Sequence, residues 1–352
     1  MYNFEKFLPS NFNLNKNYYD KFLSELNKNK RWIYTASGRA SLYHILRCNE
    51  VKKILIPTYI CDTVLEPIKK LKIEFDFFDI DLLDLNPSFE SFVNIYNSDS
   101  SFDAVLVASM YGNPADLIKF ENFCKKNNIL LIDDAAQSFG STLNGRLVGT
   151  FGNNGFFSFS PGKPFAGHMG SFFWSNQNCI IRRKRKNYYH YFKWLYFKYT
   201  RVNIYKTNKI LIFILNIANK FFEIFINTYY DDISDIDKKV IGGIFYSYKK
   251  NEWKYREIIN NKFKLLANKK FKVINNIRGT SNNHKIVLVL ESGNHVDSFK
   301  KLLTEHNIYY INGYKPLKLL NNMSKIDKRI FELPMENDLK KMDYLFELLK
   351  GF

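Results

Sequence analysis

From residue 30 to 176 the chain alternates short apolar runs with amphipathic stretches. The runs at 53–57, 73–80, 104–108 and 129–132 are brief, rich in Ile, Leu, Val and Phe, and predict strands. Between them, 41–47, 63–70 and 117–126 are amphipathic and predict helices. A further run, 170–174, predicts one more strand. Strands alternating with helices imply an α/β fold, a mostly parallel central sheet sandwiched by helices. Ligands of such sheets bind beyond the carboxyl ends of the strands, and Asp133 and Asp134 stand at one such end.

Beyond this region the texture changes. Residues from about 180 to 230 are aromatic and basic and predict long helices. A composition shift near Gly242-Gly243 precedes a smaller α/β unit, with a strand at 285–290, a helix at 296–305 and a closing amphipathic helix at 338–350. The expected division is a large domain over 1–240, containing the 180–230 region, and a small C-terminal domain over 241–352.

Composition narrows the chemistry only a little. Of 352 residues 46% are hydrophobic, enough for a large core, and 52 basic against 34 acidic residues leave +18. That charge attracts phosphates, nucleotides, nucleic acid or an acidic membrane. The joint abundance of Lys, Asn, Ile, Phe and Tyr explains it equally as compositional bias. No nucleic-acid reader motif accompanies the charge, so no nucleic-acid partner is expected. Cys48, Cys61, Cys124 and Cys179 form no CxxC pair, and the six histidines have no ligand spacing, so neither disulfide nor metal is expected. The first residues lack a signal-peptide pattern, which places the expected site of action in the cytoplasm. The apolar segment 210–219 is bracketed by Lys209, Lys220 and Glu223, too short a run to span a bilayer. Its alternatives are burial in a core or oligomer interface, or contact with a lipid surface, since Arg182-Arg-Lys-Arg-Lys186 lies just upstream.

Several residues carry candidate chemistry. Thr35-Ala-Ser-Gly-Arg-Ala-Ser-Leu42 places small residues and Gly38 immediately before a helical run, and a helix N-terminus suits an anion; a plain Ser or Gly cap is the bland alternative. Ser158, in a loop of Ser, Pro and Gly, either donates to the same phosphate or is a turn serine. Lys163, between Gly162 and Pro164, is either an imine-forming amine or one surface lysine among many. Strand alternation sends Asp133 and Asp134 to different sides, one to the site and one to a structural bond. A carboxylate beside a pyridine nitrogen keeps it protonated, and Gln137 is placed to bond a phenolic oxygen. An amine and a strand-end carboxylate together are what pyridoxal phosphate chemistry requires.

Five blocks extend the pattern: Ser37-Gly-Arg-Ala-Ser-Leu42, Pro57-Thr-Tyr-Ile-Cys61, Tyr111-Gly-Asn-Pro-Ala-Asp116, Asp133-Asp-Ala-Ala-Gln-Ser-Phe-Gly140 and Phe157-Ser-Phe-Ser-Pro-Gly-Lys163. In order and spacing they resemble the pyridoxal-phosphate sugar aminotransferases of the DegT/DnrJ/EryC1/StrS group, of fold type I. Tyr314-Lys-Pro-Leu317 and Glu332-Leu-Pro-Met335 resemble its small-domain signatures, so most of the chain is covered. The resemblance implies that Lys163 holds the cofactor covalently, that Asp134 pairs with the pyridine nitrogen, and that Gln137 lies near the phenolic oxygen. Ser158 and the backbone of Gly38 and Arg39 match the phosphate cradle, and Tyr314 a substrate contact. Cys61 stands where the family has an aromatic ring that stacks on the cofactor, so a sulfur contact or Tyr59 takes that role. Arg39 replaces a commoner Thr, and the family's Asn-Tyr-Arg segment is not recognisable near 231–237.

The implied activity is transamination of a keto-sugar, nucleotide-linked, with an amino acid such as glutamate as donor, in a homodimer. Retention of Lys163 matters, because a dehydrating branch of the family has histidine there. Two other readings stay open: the same chemistry on a lipid-linked sugar at a membrane, and a fold-type-I scaffold that binds or regulates without catalysis.

Overall fold

The structure, a computed structural model, describes residues 17–28, 30–181, 187–202, 208–225, 229–249, 254–266, 268–336 and 338–352. In chain order the first strands are β1 (Ile33–Thr35), β2 (Lys53–Pro57), β3 (Glu74–Phe78), β4 (Ala104–Ala108) and β5 (Leu130–Asp134). After them come β6 (Thr142–Leu143), β7 (Arg146–Leu147), β8 (Asn154–Ser158) and β9 (Ser171–Ser175). The last four are β10 (Phe271–Val273), β11 (Ile286–Leu290), β12 (Ile311–Asn312) and β13 (Ile330–Leu333). They fall into two compact units. One takes in the described residues of Val51–Gly155 and Glu252–Phe352, the other those of Phe7–Glu50 and Phe156–Asn251.

In the first unit β3, β2, β4 and β5 lie side by side, every neighbouring pair parallel, with Leu55 opposite Val105 and Ala108 opposite Asp134. Both faces are covered, so β4 is buried along its whole length and reads as an unbroken apolar run. Phe78 of β3 meets Phe92 and Phe120 from the helices Phe89–Ser98 and Leu117–Lys126, which fixes those helices on the sheet. The same unit contains an antiparallel sheet, β10-β11-β13-β12. Phe299, Leu303, Leu345 and Leu349 of the helices Val296–Glu305 and Leu339–Lys350 close the core beneath it.

In the second unit β1 runs antiparallel to β9, Tyr34 opposite Phe172, with β8 on the far side of β9. The helix Gly38–Cys48 is pinned to β1 and β9 through Ser41, whose Oγ lies 2.8 Å from Thr35 Oγ1 and 2.7 Å from Ser171 Oγ. Phe22 of the helix Asn17–Leu26 packs on Phe159, Phe172 and Phe245.

The predicted elements at 53–57, 104–108, 117–126 and 296–305 stand at the expected bounds. The helix expected over 41–47 begins earlier, at Gly38, because the Ser37 side chain caps it by accepting from Ala40 N. The 180–230 region contains the helices Asn187–Phe197 and Lys209–Phe225, while the basic run 182–186 lies outside the described residues. Gly242 and Gly243 sit inside the helix Asp235–Lys249, both buried. Each costs that helix about 1 kcal/mol against alanine, which packing of the neighbouring Phe245 and Tyr246 on Phe22 and Tyr18 offsets.

Candidate active site

The carboxyl end of β5 divides its two aspartates as strand alternation predicts. Asp133 is wholly buried, and its Oδ2 accepts from Gly149 N at 2.6 Å and Phe151 N at 3.0 Å. Burial outweighs those bonds and pushes the Asp133 carboxyl up to about 8. It is the structural member of the pair. Asp134 points the other way, and its Oδ1 accepts from Ala136 N at 2.9 Å, which turns the chain toward Gln137.

Gln137 spans two tyrosines. Its Oε1 accepts from Tyr111 N at 3.3 Å and its Nε2 donates to Tyr314 Oη at 3.2 Å. The Tyr314 hydroxyl is enclosed, and burial, followed by the charges of Glu332, Cys61, Tyr59 and Asp134, raises it well above the ordinary tyrosine value. Gln137, three residues beyond Asp134, therefore meets Tyr314 across 177 positions, and Tyr59, two residues before Cys61, packs its ring 5.8 Å from that of Tyr314. Cys61 is half-buried, its Sγ 3.1 Å from Thr63 Oγ1. Tyr59 is wholly buried and engaged elsewhere, its hydroxyl 2.6 Å from that of Tyr111 and accepting from Tyr314 N at 3.2 Å.

Tyr59 belongs to a chain of polar residues whose mutual contacts sequence reading did not anticipate. Tyr111 Oη donates to Glu332 Oε1 at 3.1 Å, so Tyr59 must donate to Tyr111, and Lys285 closes an ion pair with Glu332. Tyr111 adopts φ +58°, a left-handed conformation that costs about 1–2 kcal/mol for a residue with a side chain. Its bonds to Gln137, Tyr59 and Glu332 hold it there. Asn282 is the second omission: its Nδ2 donates to the carbonyls of Gln137 and Phe139, both at 3.0 Å. Only the Tyr111-Gly112 block gave a hint of this region; a contact across 145 residues leaves no local pattern to read.

In the second unit the helix start and Ser158 come together. A Cβ placed on Gly38 would lie 3.5 Å from Ser158 Cβ and 3.6 Å from its Oγ. Ser158 is 4% exposed and accepts from Ser160 N at 3.4 Å. A helix start leaves backbone N–H groups without intrahelical partners, so its first turn beside a buried hydroxyl suits a phosphate group. Lys163 is half-buried in the turn after β8, where its N–H donates to Ser160 O at 3.2 Å and Gly162 before it adopts φ +84°. Arg39 is exposed.

The second unit also contains a buried ionic cluster. His190 Nδ1 lies 2.5 Å and His168 Nε2 2.8 Å from opposite oxygens of Asp237, and His190 Nε2 lies 3.3 Å from Asp231. Burial alone would lower His190; hydrogen bonds to Asp231 and Asp237, with their charges, raise it to about 9. Burial would likewise raise Asp237, but His168 and His190 bring it well below the usual carboxylate range. Among the described residues no group of three or more His, Cys, Asp or Glu could hold a metal ion, and no helix is long and apolar enough to cross a membrane.

Residues 3–190, 188 of the 352, match the DegT/DnrJ/EryC1/StrS aminotransferase family. The GDP-perosamine synthase of Vibrio cholerae is 26% identical over 47% of this chain and 46% of its own length. A GDP-4-keto-6-deoxy-D-mannose 3-dehydratase of Escherichia coli O55:H7 is 30% identical over 32% of this chain and 28% of its own. The chain thus matches less than half the length of these curated relatives. Among solved structures, a DegT/DnrJ/EryC1/StrS aminotransferase from Brucella abortus superposes over 95% of this chain and 89% of its own, with a TM-score of 0.71 at 18% identity. An E. coli GDP-4-keto-6-deoxy-D-mannose-3-dehydratase with bound hydrated pyridoxal phosphate covers 99% and 100%, with a TM-score of 0.70 at 17% identity. At such identities the likeness establishes a shared fold, that of the type I aminotransferases.

Proposed function

We propose that this chain, which belongs to the DegT/DnrJ/EryC1/StrS aminotransferase family, uses pyridoxal phosphate to move an amino group from an amino acid such as glutamate to a nucleotide-linked keto-sugar. The grouping of Asp134 and Gln137 with Tyr314 at the carboxyl end of β5 carries the proposal. When bound, the cofactor supplies an electrophilic carbonyl and a ring able to take up the electron pair released from a substrate C–H bond.

Each proposed residue has one task. The Asp134 carboxylate holds a proton on the pyridine nitrogen, and Gln137 Nε2 donates to the phenolic oxygen. Ser158 Oγ and the Gly38 backbone bind the phosphate. Lys163 Nζ is the amine that would hold the cofactor covalently, and the same nitrogen would serve to carry a proton from one carbon to another. Tyr314, oriented by Gln137, presents a neutral hydroxyl to the sugar. Cys61 offers a soft contact beside it, and exposed Arg39 adds a positive charge for an anionic substrate group. The same proposal includes a homodimer acting in the cytoplasm.

The dehydratases among the relatives define the second reading. Lys163 favours amine transfer, because an amine there returns the proton that a dehydratase would spend on loss of water. The test is an absorbance scan of the protein with pyridoxal phosphate, repeated after adding glutamate. A visible band that shifts with glutamate and disappears in Lys163→Ala is expected, and mass spectrometry of a keto-sugar incubation should show an amine. A protein that stays colourless with added cofactor would overturn the assignment, as would a deoxy-ketone product.

A further inference from the structure

The two faces of the helix Lys209–Phe225 differ sharply. Its inner face packs on the helix Asn187–Phe197: the Phe222 ring lies 4.6 Å from Phe192 and 6.1 Å from Tyr189. Lys193 Nζ donates to Asn219 Oδ1 at 2.8 Å, and Tyr196 donates to Asn216 Oδ1 at 3.1 Å. On the outer face Ile210, Phe213, Ile214, Ile217 and Phe221 follow the 3.6-residue period, and each is more than half exposed (55–68%). Tyr188 (93% exposed) and Tyr191 (52%) enlarge this apolar surface from the adjoining helix. Exposed apolar stripes of this length mark a surface that meets something.

The charge pattern says what. From residue 180 to the end of this helix at Phe225 the sequence has eleven Lys and Arg against one acidic residue, Glu223. Five of the eleven form the run 182–186, which with Lys206 lies outside the described residues; the other five are Lys193, Lys198, Arg201, Lys209 and Lys220. Lys209 and Lys220 are exposed at either end of the stripe. A second copy pairing this face with itself would set the exposed Lys209 and Lys220 of one copy against those of the other, which like-charge repulsion opposes. An anionic lipid surface meets both demands, burying the apolar stripe while its headgroups neutralise the lysines and arginines.

We infer that the helix Lys209–Phe225, braced by Asn187–Phe197, lies flat in the headgroup region of an anionic bilayer. Ile210, Phe213, Ile214, Ile217 and Phe221 face the acyl chains. Lys209 and Lys220 extend back to the phosphates. The helix does not cross the membrane: it has 17 residues and an inner face committed to its neighbour. The inference is independent of the reaction proposed above, because it uses no residue of the candidate active site.

Co-sedimentation of the full chain with lipid vesicles tests it. Vesicles of phosphatidylcholine with about one third phosphatidylglycerol should bind at least about tenfold more protein than phosphatidylcholine alone, and added salt should weaken the binding. The double substitution Ile214→Asp with Ile217→Asp should lower the bound fraction by about tenfold or more. Light scattering and the absorbance of the pyridoxal-phosphate complex should stay as in the parent. Failure of the unsubstituted protein to bind phosphatidylglycerol vesicles at low salt overturns the inference without recourse to any variant. So does undiminished binding by the double variant, and so does a parent dimer that the double variant converts to monomers, which would assign the face to a second copy.

Discussion

Asn282 offers the sharpest test of how the strand-end segment is held. Its Nδ2 donates to the carbonyls of Gln137 and Phe139, and its own N–H donates to Ser141 Oγ, which in turn donates to Gly112 O at 2.7 Å. Asn282→Ala keeps the backbone bond and removes both side-chain bonds. Each is worth about 1 kcal/mol net, and the two carbonyls it abandons are buried, which adds to the loss. Asn282 Oδ1 is itself buried without a hydrogen-bond partner, so removing it returns part of that cost. The balance is a destabilisation of about 2 kcal/mol. Asn282→Asp is a harsher probe, because an anionic oxygen then faces two carbonyl oxygens in a buried pocket, costing more than about 3 kcal/mol at neutral pH. Urea unfolding of the cofactor-free protein, followed by circular dichroism, measures both. If the released segment also lets Gln137 drift, the dissociation constant of pyridoxal phosphate should rise about tenfold for a share of about 1.4 kcal/mol. Finding both variants within about 0.5 kcal/mol of the parent would show that the segment is held by something other than Asn282.

Two further outcomes follow from the same geometry. His190 is raised to about 9 by Asp231 and Asp237 against the pull of burial, so its stabilisation is complete below its unfolded value near 6.5 and is lost as pH rises through 9. That slope amounts to roughly 3 kcal/mol and should be absent in His190→Gln; unfolding curves that do not change between these pH values contradict it. Asp237, whose carboxyl is lowered, contributes in the opposite sense, its share being present above the ordinary carboxylate range and lost as pH falls below it. Gly313 is the steric test. A Cβ there would stand 2.4 Å from Tyr59 Oη and 2.7 Å from Ile330 Cβ, whereas one on Gly293 meets nothing within 4 Å. Gly313→Ala should cost about 1–3 kcal/mol and weaken cofactor binding by displacing Tyr314, with Gly293→Ala unchanged in the same melting assay.

The sequence by itself determined most of the local elements and named the candidate reactive groups. The runs at 53–57 and 104–108 are strands because unbroken Ile, Leu and Val suit a sheet buried on both faces, and period alone shows this. Alternation likewise separated Asp133 from Asp134 before any contact was known. Even short-range chemistry was only partly legible: the helix expected over 41–47 begins at Gly38 because the Ser37 side chain caps it. Tertiary structure alone decided which residues meet. Gln137 finds Tyr314 across 177 positions, Asn282 grips Gln137 across 145, and the Tyr111 hydroxyl reaches Glu332 across 221. The same holds for the continuation of a helix through Gly242 and Gly243, where packing overrides a weak intrinsic preference. Such pairings depend on chain crossings and buried hydrogen-bond demands, which are properties of the packed whole and leave no period in the sequence.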